Sequence, residues 1–426
     1  MTGKPLHIAV VGAGVAGIVA AWILQRQHHV TLFEKRNRLG GHTNTIIIPD
    51  GPDAGTAVDT GFIVCNDKTY PNFHRFLRQL EVPVRWSDMS FGFWDQESGL
   101  QYAGTSLGGL FAQPANAANP AFLRMLWEIR RFSTEVLRDL EQSPARLAGV
   151  TLGQYLRAGR YSKYMVHNYI VPMGAAIWST APGKMLRFPA LAFARFFRNH
   201  GLLSLKDRPR WQTVVGGSHA YIKAFEKRFT GNTILGARLR SVHREPGGVV
   251  LREDGGAERH FDRVVLAVHA NQVLPLLADP SEEERRLFGA WRYERNHTVL
   301  HTDASVLPPN RRAWASWNYT RERGTRPGKG PMSATYHMNR LQGLRTRRQY
   351  CVTLNRHESV PEQHVIREIV YTHPLYTRRS IETQEPLRRL SGTGCTGYCG
   401  SYLGYGFHED AVLTAVELSR KWGIEL

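Results

Sequence analysis

The stretch His7 to Gln27, "HIAVVGAGVAGIVAAWILQRQ", decides the fold. It opens with a short apolar run and passes through Gly12, Gly14 and Gly17 in the pattern G-x-G-x-x-G, then continues in helix-forming residues. The spacing predicts a buried strand, a tight glycine turn and a helix starting near Val15. Gly12 permits the turn, Gly14 lets a pyrophosphate approach the backbone, and Gly17 lets helix and strand pack closely. A second strand, "VTLFE", ends in Glu34 about 20 residues on, where a dinucleotide fold places the acid that accepts hydrogen bonds from an adenosine ribose. Glu34 would repel a 2′-phosphate, which argues against NADP.

The next residues, "KRNRLGG" (35–41), set three cations before two glycines. Arg36 and Arg38 are candidates for charge-assisted contacts to a diphosphate. Lys35 reads as solvated. Gly40 and Gly41 are expected to let the backbone pass close to the ligand.

With 426 residues, 42% of them hydrophobic, the chain can build one large domain or two ordinary ones. Cys65, Cys351, Cys395 and Cys399 form neither a disulfide framework nor a zinc pattern, which points to a reducing, cytoplasmic setting. The charge-free run from Ile8 to Leu24 lacks the flanks of a signal peptide or anchor and is better read as strand, turn and helix. The net charge is +19, and from Arg311 to Arg348 ten Lys/Arg face one acid, Glu322, with Trp314, Trp317, Tyr319 and Tyr336 interleaved. An anionic membrane surface suits this mixture, nucleic acid is disfavoured, and a solvated basic face is the plain alternative.

"VVGAGVAGIVAAW" and "VTLFEKRNRLGGHTNT" resemble the N-terminus of FAD-dependent amine oxidases, protoporphyrinogen oxidases and carotenoid desaturases. The resemblance implies an α/β fold: a Rossmann-like FAD-binding domain of the glutathione-reductase type, with an inserted α+β substrate domain. The expected division is a discontinuous FAD domain of residues 1–80, 205–275 and 390–426, and a substrate domain of 81–204 and 276–389. It implies non-covalent FAD, with Glu34 on the ribose and Arg38 near the pyrophosphate. Many amine oxidases have arginine where this chain has His42, so the contact there is expected to differ.

By the same resemblance, Gly61 and Phe62 in "AVDTGFIV" offer backbone contacts to the flavin, and Val242 contacts the adenine through its backbone. The C-terminal "GYCGSYLGYGFHEDAVLTAVELSRKWG" puts Gly400 and Ser401 at a strand exit, and Phe407 and His408 at the start of a helix whose positive end suits a reduced flavin. Ser401 stands where the family has an acid. Cys395 and Cys399 nearby are read as structural. A closer likeness, in "VPMGAAIWST", "FFRNHGLLSL", "SWNY", "VTLN" and "GYGFHEDA", is to bacterial flavoproteins associated with fatty acyl modification.

Residues 119–205 have a helical pattern, with Asn119, Thr151 and Ser162 as N-caps. Their apolar residues, Met173, Ile177, Trp178, Phe193, Phe196 and Phe197, suit a long apolar pocket. Asn199 and His200 end this region, with His200 a candidate base or orienting group. "WASWNYT", "MSATYHMN" and "QYCVTLN" read as antiparallel strands that present Trp317, Tyr319 and Tyr336 to the substrate. The reading that follows is an FAD-dependent oxidoreductase removing two hydrogens from an apolar, fatty acyl or lipid, substrate, with oxygen or another acceptor reoxidising the flavin. The alternatives are a flavin amine oxidase, and a peripheral membrane or nucleic-acid binding protein that keeps FAD without catalysis. The substrate's exact identity, the acceptor and the oligomeric state have no motif.

The purified protein should therefore be yellow and release FAD rather than FMN or NAD on denaturation. Glu34→Ala should lose FAD affinity, since hydrogen bonds to a charged group are worth about 1.5–3 kcal/mol each. Protein that stays colourless after incubation with FAD, or a variant with parental occupancy, would contradict this.

Overall fold

The computed structural model describes residues 4–204 and 208–426. The expected domain boundary at 204/205 falls beside 205–207, outside the described residues. Strand His7–Val11 leads through the glycine turn into helix Val15–Leu24, whose residues are apolar nearly all round and buried, as the charge-free run requires. That strand lies at the centre of a five-stranded parallel sheet. On one side are His29–Glu34 and then Asn232–Leu235, and on the other Arg263–Leu266 and then Thr396–Tyr398. Helices Val15–Leu24 and His408–Lys421 pack together on one face through Ile18, Ala21, Val412 and Ala415. The other face, with Ala9, Phe33 and Leu266, is covered by the antiparallel strands Leu239–Glu245, Gly248–Glu253 and Glu258–Phe261. A hairpin through "EDGG" (253–256) joins the last two.

The second body is a seven-stranded sheet backed by helices. Trp317–Arg321, Ala334–His337 and Cys351–Leu354 form its antiparallel centre, as their alternation predicts. Two strands that the sequence reading did not contain, Tyr293–His301 and Val365–Pro374, complete one side, and Phe91–Asp95 with Gln101–Ala103 the other. Asn119, Thr151 and Ser162 each accept a backbone hydrogen bond at a helix start, so the three predicted caps are in place. Trp317, Tyr319 and Tyr336 share one face of the sheet with Phe93, and this face packs on the helical layer that holds Trp178, Phe193 and Phe196.

Two expectations change. Residues 276–291 pack with the parallel-sheet body rather than the substrate body, because Leu287, Phe288 and Trp291 bury against Val242 and Tyr398. Leu387 does the same from helix Gln384–Leu390. The basic stretch 311–348 is also not one surface. Arg321 is buried, with Nη2 2.6 Å from Asp95 and 2.9 Å from Asn168. Arg340 pairs with Asp88 at 2.7 Å, and Tyr319 and Tyr336 lie in the core. Arg323, Arg326 and Lys329 remain exposed.

Burial alone would raise the pKa of Asp95, but Arg321 and Ser98 hold its carboxyl below the usual range. Removing one partner of such a pair strands the other charge, so Arg321→Met should lower unfolding stability in urea by about 3–5 kcal/mol. Asp95→Leu combined with Arg321→Met should recover most of the loss. Equal stability of parent and single variant would contradict this.

Candidate FAD and substrate site

Glu34 lies at the carboxyl end of its strand and is buried. Its Oε2 accepts from Ala13 N at 2.9 Å and its Oε1 from Arg36 N at 3.0 Å, which fixes the carboxylate beside the glycine turn. The turn itself is shaped by contact. A Cβ on Gly12, whose φ is +99°, would lie 2.6 Å from the Ala267 carbonyl oxygen, whereas one on Gly14 would meet nothing within 4 Å. The space that the pattern reserves for a diphosphate is therefore open.

Gly40 and Gly41 serve a purpose beyond the expected one. Gly40 N donates to Ala13 O at 2.8 Å, and a Cβ on Gly41 would lie 3.1 Å from Gly14 Cα, so the pair lets two loops touch. Arg38 donates to the carbonyls of Leu39, Thr43 and Gly41, tying this loop from within. Arg36 and Lys35 are exposed.

At the carboxyl ends of the parallel strands lies a group of rings. His42 stacks on Tyr371 at 5.0 Å and lies 5.7 Å from His269 and 5.4 Å from His373. Its Nε2 is sealed and has no hydrogen-bond partner. His408, the first residue of the C-terminal helix, stacks on Phe62 at 3.6 Å and hydrogen-bonds Tyr221 Oη at 2.9 Å.

Protein surrounds these rings closely enough that burial drives the pKa of His42, His269 and His408 down to about 3 and that of His373 to about 4. All four nevertheless keep some accessible surface. The open backbone at Gly14, the Glu34 carboxylate beside it and the orphaned His42 Nε2 fit FAD.

Several expected contacts come out differently. The Phe62 N–H already donates to the His42 carbonyl at 2.9 Å, and Gly61 packs against that same carbonyl. Phe62 therefore presents its ring rather than its amide. Val242 is wholly buried and its carbonyl already accepts from Ala278 at 2.9 Å. Ala237, which donates to Glu34 O at 2.9 Å, brings the neighbouring Leu239 to that end of the sheet instead. Gly400 N donates to Thr414 Oγ1 at 3.0 Å, and Ser401 opens a short turn at the strand exit. The positive end of the last helix is partly met from within, since Asp410 accepts from Phe407 N at 2.9 Å. Cys399 is buried, which pushes its thiol up to about 12, as a structural cysteine requires.

On the substrate side, His200 is buried among Tyr70, Phe196, Trp211 and Phe407, with ring separations of 4.1–6.4 Å. Its Nδ1 lies 3.4 Å from Thr69 Oγ1, and burial lowers its pKa to about 4. Trp178 Nε1 donates to Tyr405 O at 3.2 Å and its ring lies 4.8 Å from Phe196. His200, Trp178 and Phe407 thus meet at the start of the C-terminal helix. Asn199 is exposed and does not belong to the site, because the last turn of its helix points it to solvent. Tyr336 reaches the group through Ser179 and lies 5.2 Å from Trp317, whose indole N–H is sealed without a partner. Tyr319 stacks on Phe93 and is core.

The sequence reading missed Tyr371, His373 and His269. His269 follows the strand Arg263–Leu266 at the crevice where such sheets bind ligands, and that position was its signal. Tyr371 and His373 sit on an unforeseen strand and had none.

A parallel sheet of this order and a glycine turn with an acid at the next strand end define a flavin-dependent oxidoreductase fold. The chain belongs to the family described as flavin containing amine oxidoreductase, whose profile matches residues 15–299. A putative flavin-containing monoamine oxidase of Mycobacterium tuberculosis is 29% identical over 290 residues, covering 65% of this chain and 59% of that protein. An L-amino-acid oxidase of Mus musculus is 26% identical over 251 residues, covering 57% and 37%. The chain therefore spans about three fifths or less of the length of these relatives. Among solved structures, a cofactor-binding redesign of putrescine oxidase is similar at TM-score 0.68 and 15% identity, over 98% of this chain and 99% of that one. A fatty acid isomerase from P. acnes matches at TM-score 0.68 and 14% identity, over 99% of each chain. These likenesses show the fold. No helix among the described residues is long and apolar enough to cross a membrane.

The buried histidines give a pH prediction. His42, His200, His269, His373 and His408 have folded pKa values of about 3 to 4, below the ordinary 6.5. The unfolded chain takes up their protons first as pH falls. Each therefore removes up to about 1.4 kcal/mol of stability per pH unit below 6.5, and none of this loss occurs above it. Burial raises the pKa of Asp59, Glu409 and Asp410 to about 6, 7 and 6, which acts in the opposite sense, so the test is a comparison. His200→Phe should lose less stability than the parent between pH 6.5 and 5, and an equal loss would contradict the burial of that ring.

Proposed function

We propose that the protein removes two hydrogens from an apolar, fatty acyl or lipid, substrate as an FAD-dependent oxidoreductase. The observation that carries this reading is the aromatic cluster of Trp178, Phe196, Trp211 and Phe407 packed around one polar side chain, His200. Apolar side chains of this kind gain from burying methylene groups and exclude water. Bound FAD would supply the acceptor for the hydride.

Glu34, the glycine turn and the start of the C-terminal helix would hold that cofactor, and His42 would offer its free Nε2 to the anionic part. Trp178, Tyr336 and Trp317 would line the approach to the cluster. His200 is neutral at physiological pH and its Nδ1 faces Thr69, so Nε2 is the atom placed to take the substrate proton. The likeness to fatty acyl-modifying flavoproteins supports the same substrate class.

The second reading, an amine oxidase, is favoured by the relatives rather than by the cluster. Anaerobic mixing separates the two. Fatty acyl substrates should bleach the flavin absorbance and primary amines should not. His200→Ala should slow that bleaching by about 10²–10⁴-fold while FAD content stays parental. Bleaching by amines alone would establish the second reading, and a flavin that no candidate reduces would leave a cofactor-bearing protein without this chemistry.

A further inference from the structure

We propose that residues 104–127, with Arg311 and Arg312 beside them, form a face that docks the protein on an anionic lipid bilayer. The inference deepens the apolar-substrate reading and rests on it for its purpose, though not for its geometry. From Gln101 to Leu123 there is no charged residue, in a chain where 21% are charged. Much of this stretch is at the surface. Leu107 is 77% exposed, Leu123 43% and Trp127 59%, and between them Pro114, Ala115, Ala117, Ala118 and Ala121 are exposed. A surface of this composition loses no hydrogen-bonded charge when water is replaced by lipid.

The stretch is held firmly. Ser106 and Asn119 cap its two helices, Leu107–Leu110 and Pro120–Gln142, and the Gln113 side chain bonds Gln101 N and Gly99 O. Asn310 donates to the Ala112 carbonyl at 2.6 Å and to Gln101 Oε1 at 2.9 Å. That pair of bonds fixes the next residues, Arg311 and Arg312, at the rim of the apolar face, and both are exposed. Arg124 and Arg130 are exposed on the long helix, and Arg131 lies over the Trp127 ring at 5.2 Å.

The acids on this helix do not cancel the arginines at the rim. Glu128 is buried beneath Arg124, and Glu135 pairs with Arg131 a turn beyond Trp127. Arginine presents a planar fork that matches a phosphate, and tryptophan favours the boundary between headgroup and acyl chain. This charge complementarity selects an anionic bilayer over a neutral one or a protein partner. The inner face of the same helix, through Phe122, Met125 and Phe132, belongs to the core that contains Trp178, Phe193 and Phe196. The docking face therefore backs directly onto the apolar side of the substrate body.

The test uses the FAD-loaded full chain and sedimentation with phosphatidylcholine vesicles, with and without phosphatidylglycerol. Binding should require phosphatidylglycerol and weaken with salt. Leu107→Glu with Trp127→Glu should weaken it about tenfold or more, and Arg311→Glu with Arg312→Glu should do the same and flatten the salt dependence. Neutralising Arg323, Arg326 and Lys329 together to Gln should leave it within about twofold of the parent, since that loop is a separate surface. Should a face variant fold poorly, brominated lipid in the vesicles still reports, because it should quench the parent's fluorescence more than that of Trp127→Phe.

Equal binding to neutral vesicles, face variants that bind like the parent, or equal quenching of parent and Trp127→Phe would overturn the proposal. So would a dimer that Trp127→Glu dissociates, which would make a second copy the occupant. Binding is read without turnover, so its failure leaves the acyl reading standing, and failure of acyl substrates to reduce the flavin leaves the docking result standing.

Discussion

The close approach of three backbone segments at Gly12 and Gly17 sets the position of everything else. A Cβ on Gly17 would lie 1.8 Å from the Gly12 carbonyl oxygen, and one on Gly12 would strike Ala267. Only hydrogen at both positions lets strand His7–Val11, helix Val15–Leu24 and the exit of strand Arg263–Leu266 meet. Glu34 is referred to this junction through Ala13 N, the Gly40–Gly41 loop through Ala13 O, and the histidine group through His269, which follows Ala267 and Val268 directly. Side chains that touch the cofactor space thus inherit their placement from a contact that involves no side chain.

What the sequence made legible follows from the same physics. Glycine spacing, strand-end acid and apolar runs are local, so the parallel sheet and Glu34 could be read directly. Helix caps such as Asn119 and Thr151 were legible because capping is a one-turn interaction. Contacts made by backbone atoms were not. Nothing in the letters distinguishes Val242, whose carbonyl is already engaged, from Leu239 three residues earlier. Charge patterning misled for a related reason. Arg321 reads as one more cation in a basic run, and only its distant partner Asp95 makes it interior.

The two bodies divide the chemistry. Polar groups that address a nucleotide sit on the parallel sheet, where strand ends expose backbone amides. The cluster around His200 takes Trp178 and Phe196 from helices and Trp211 from a strand, and the Trp178 indole is satisfied by the Tyr405 carbonyl. Strand Val365–Pro374 joins the two, since Tyr371 and His373 leave the outer sheet to reach His42. Tyr371 also hydrogen-bonds Asn44 at 2.9 Å and Thr60 at 2.8 Å, so a residue of the outer sheet is tied to the segments around His42 and Gly61.

The order of the parallel strands has a consequence for how the protein is made. Thr396–Tyr398 is synthesised long after its neighbour Arg263–Leu266, with most of the outer sheet encoded between them. Helix His408–Lys421, which packs on Val15–Leu24, comes later still. A nascent chain thus cannot complete its nucleotide pocket until residues 396–421 have been made. Until then the apolar faces of Val15–Leu24 and of the central strands stay uncovered. Loss of residues 396–421 would consequently remove part of the cofactor site, although the glycine fingerprint lies nearly 400 residues earlier.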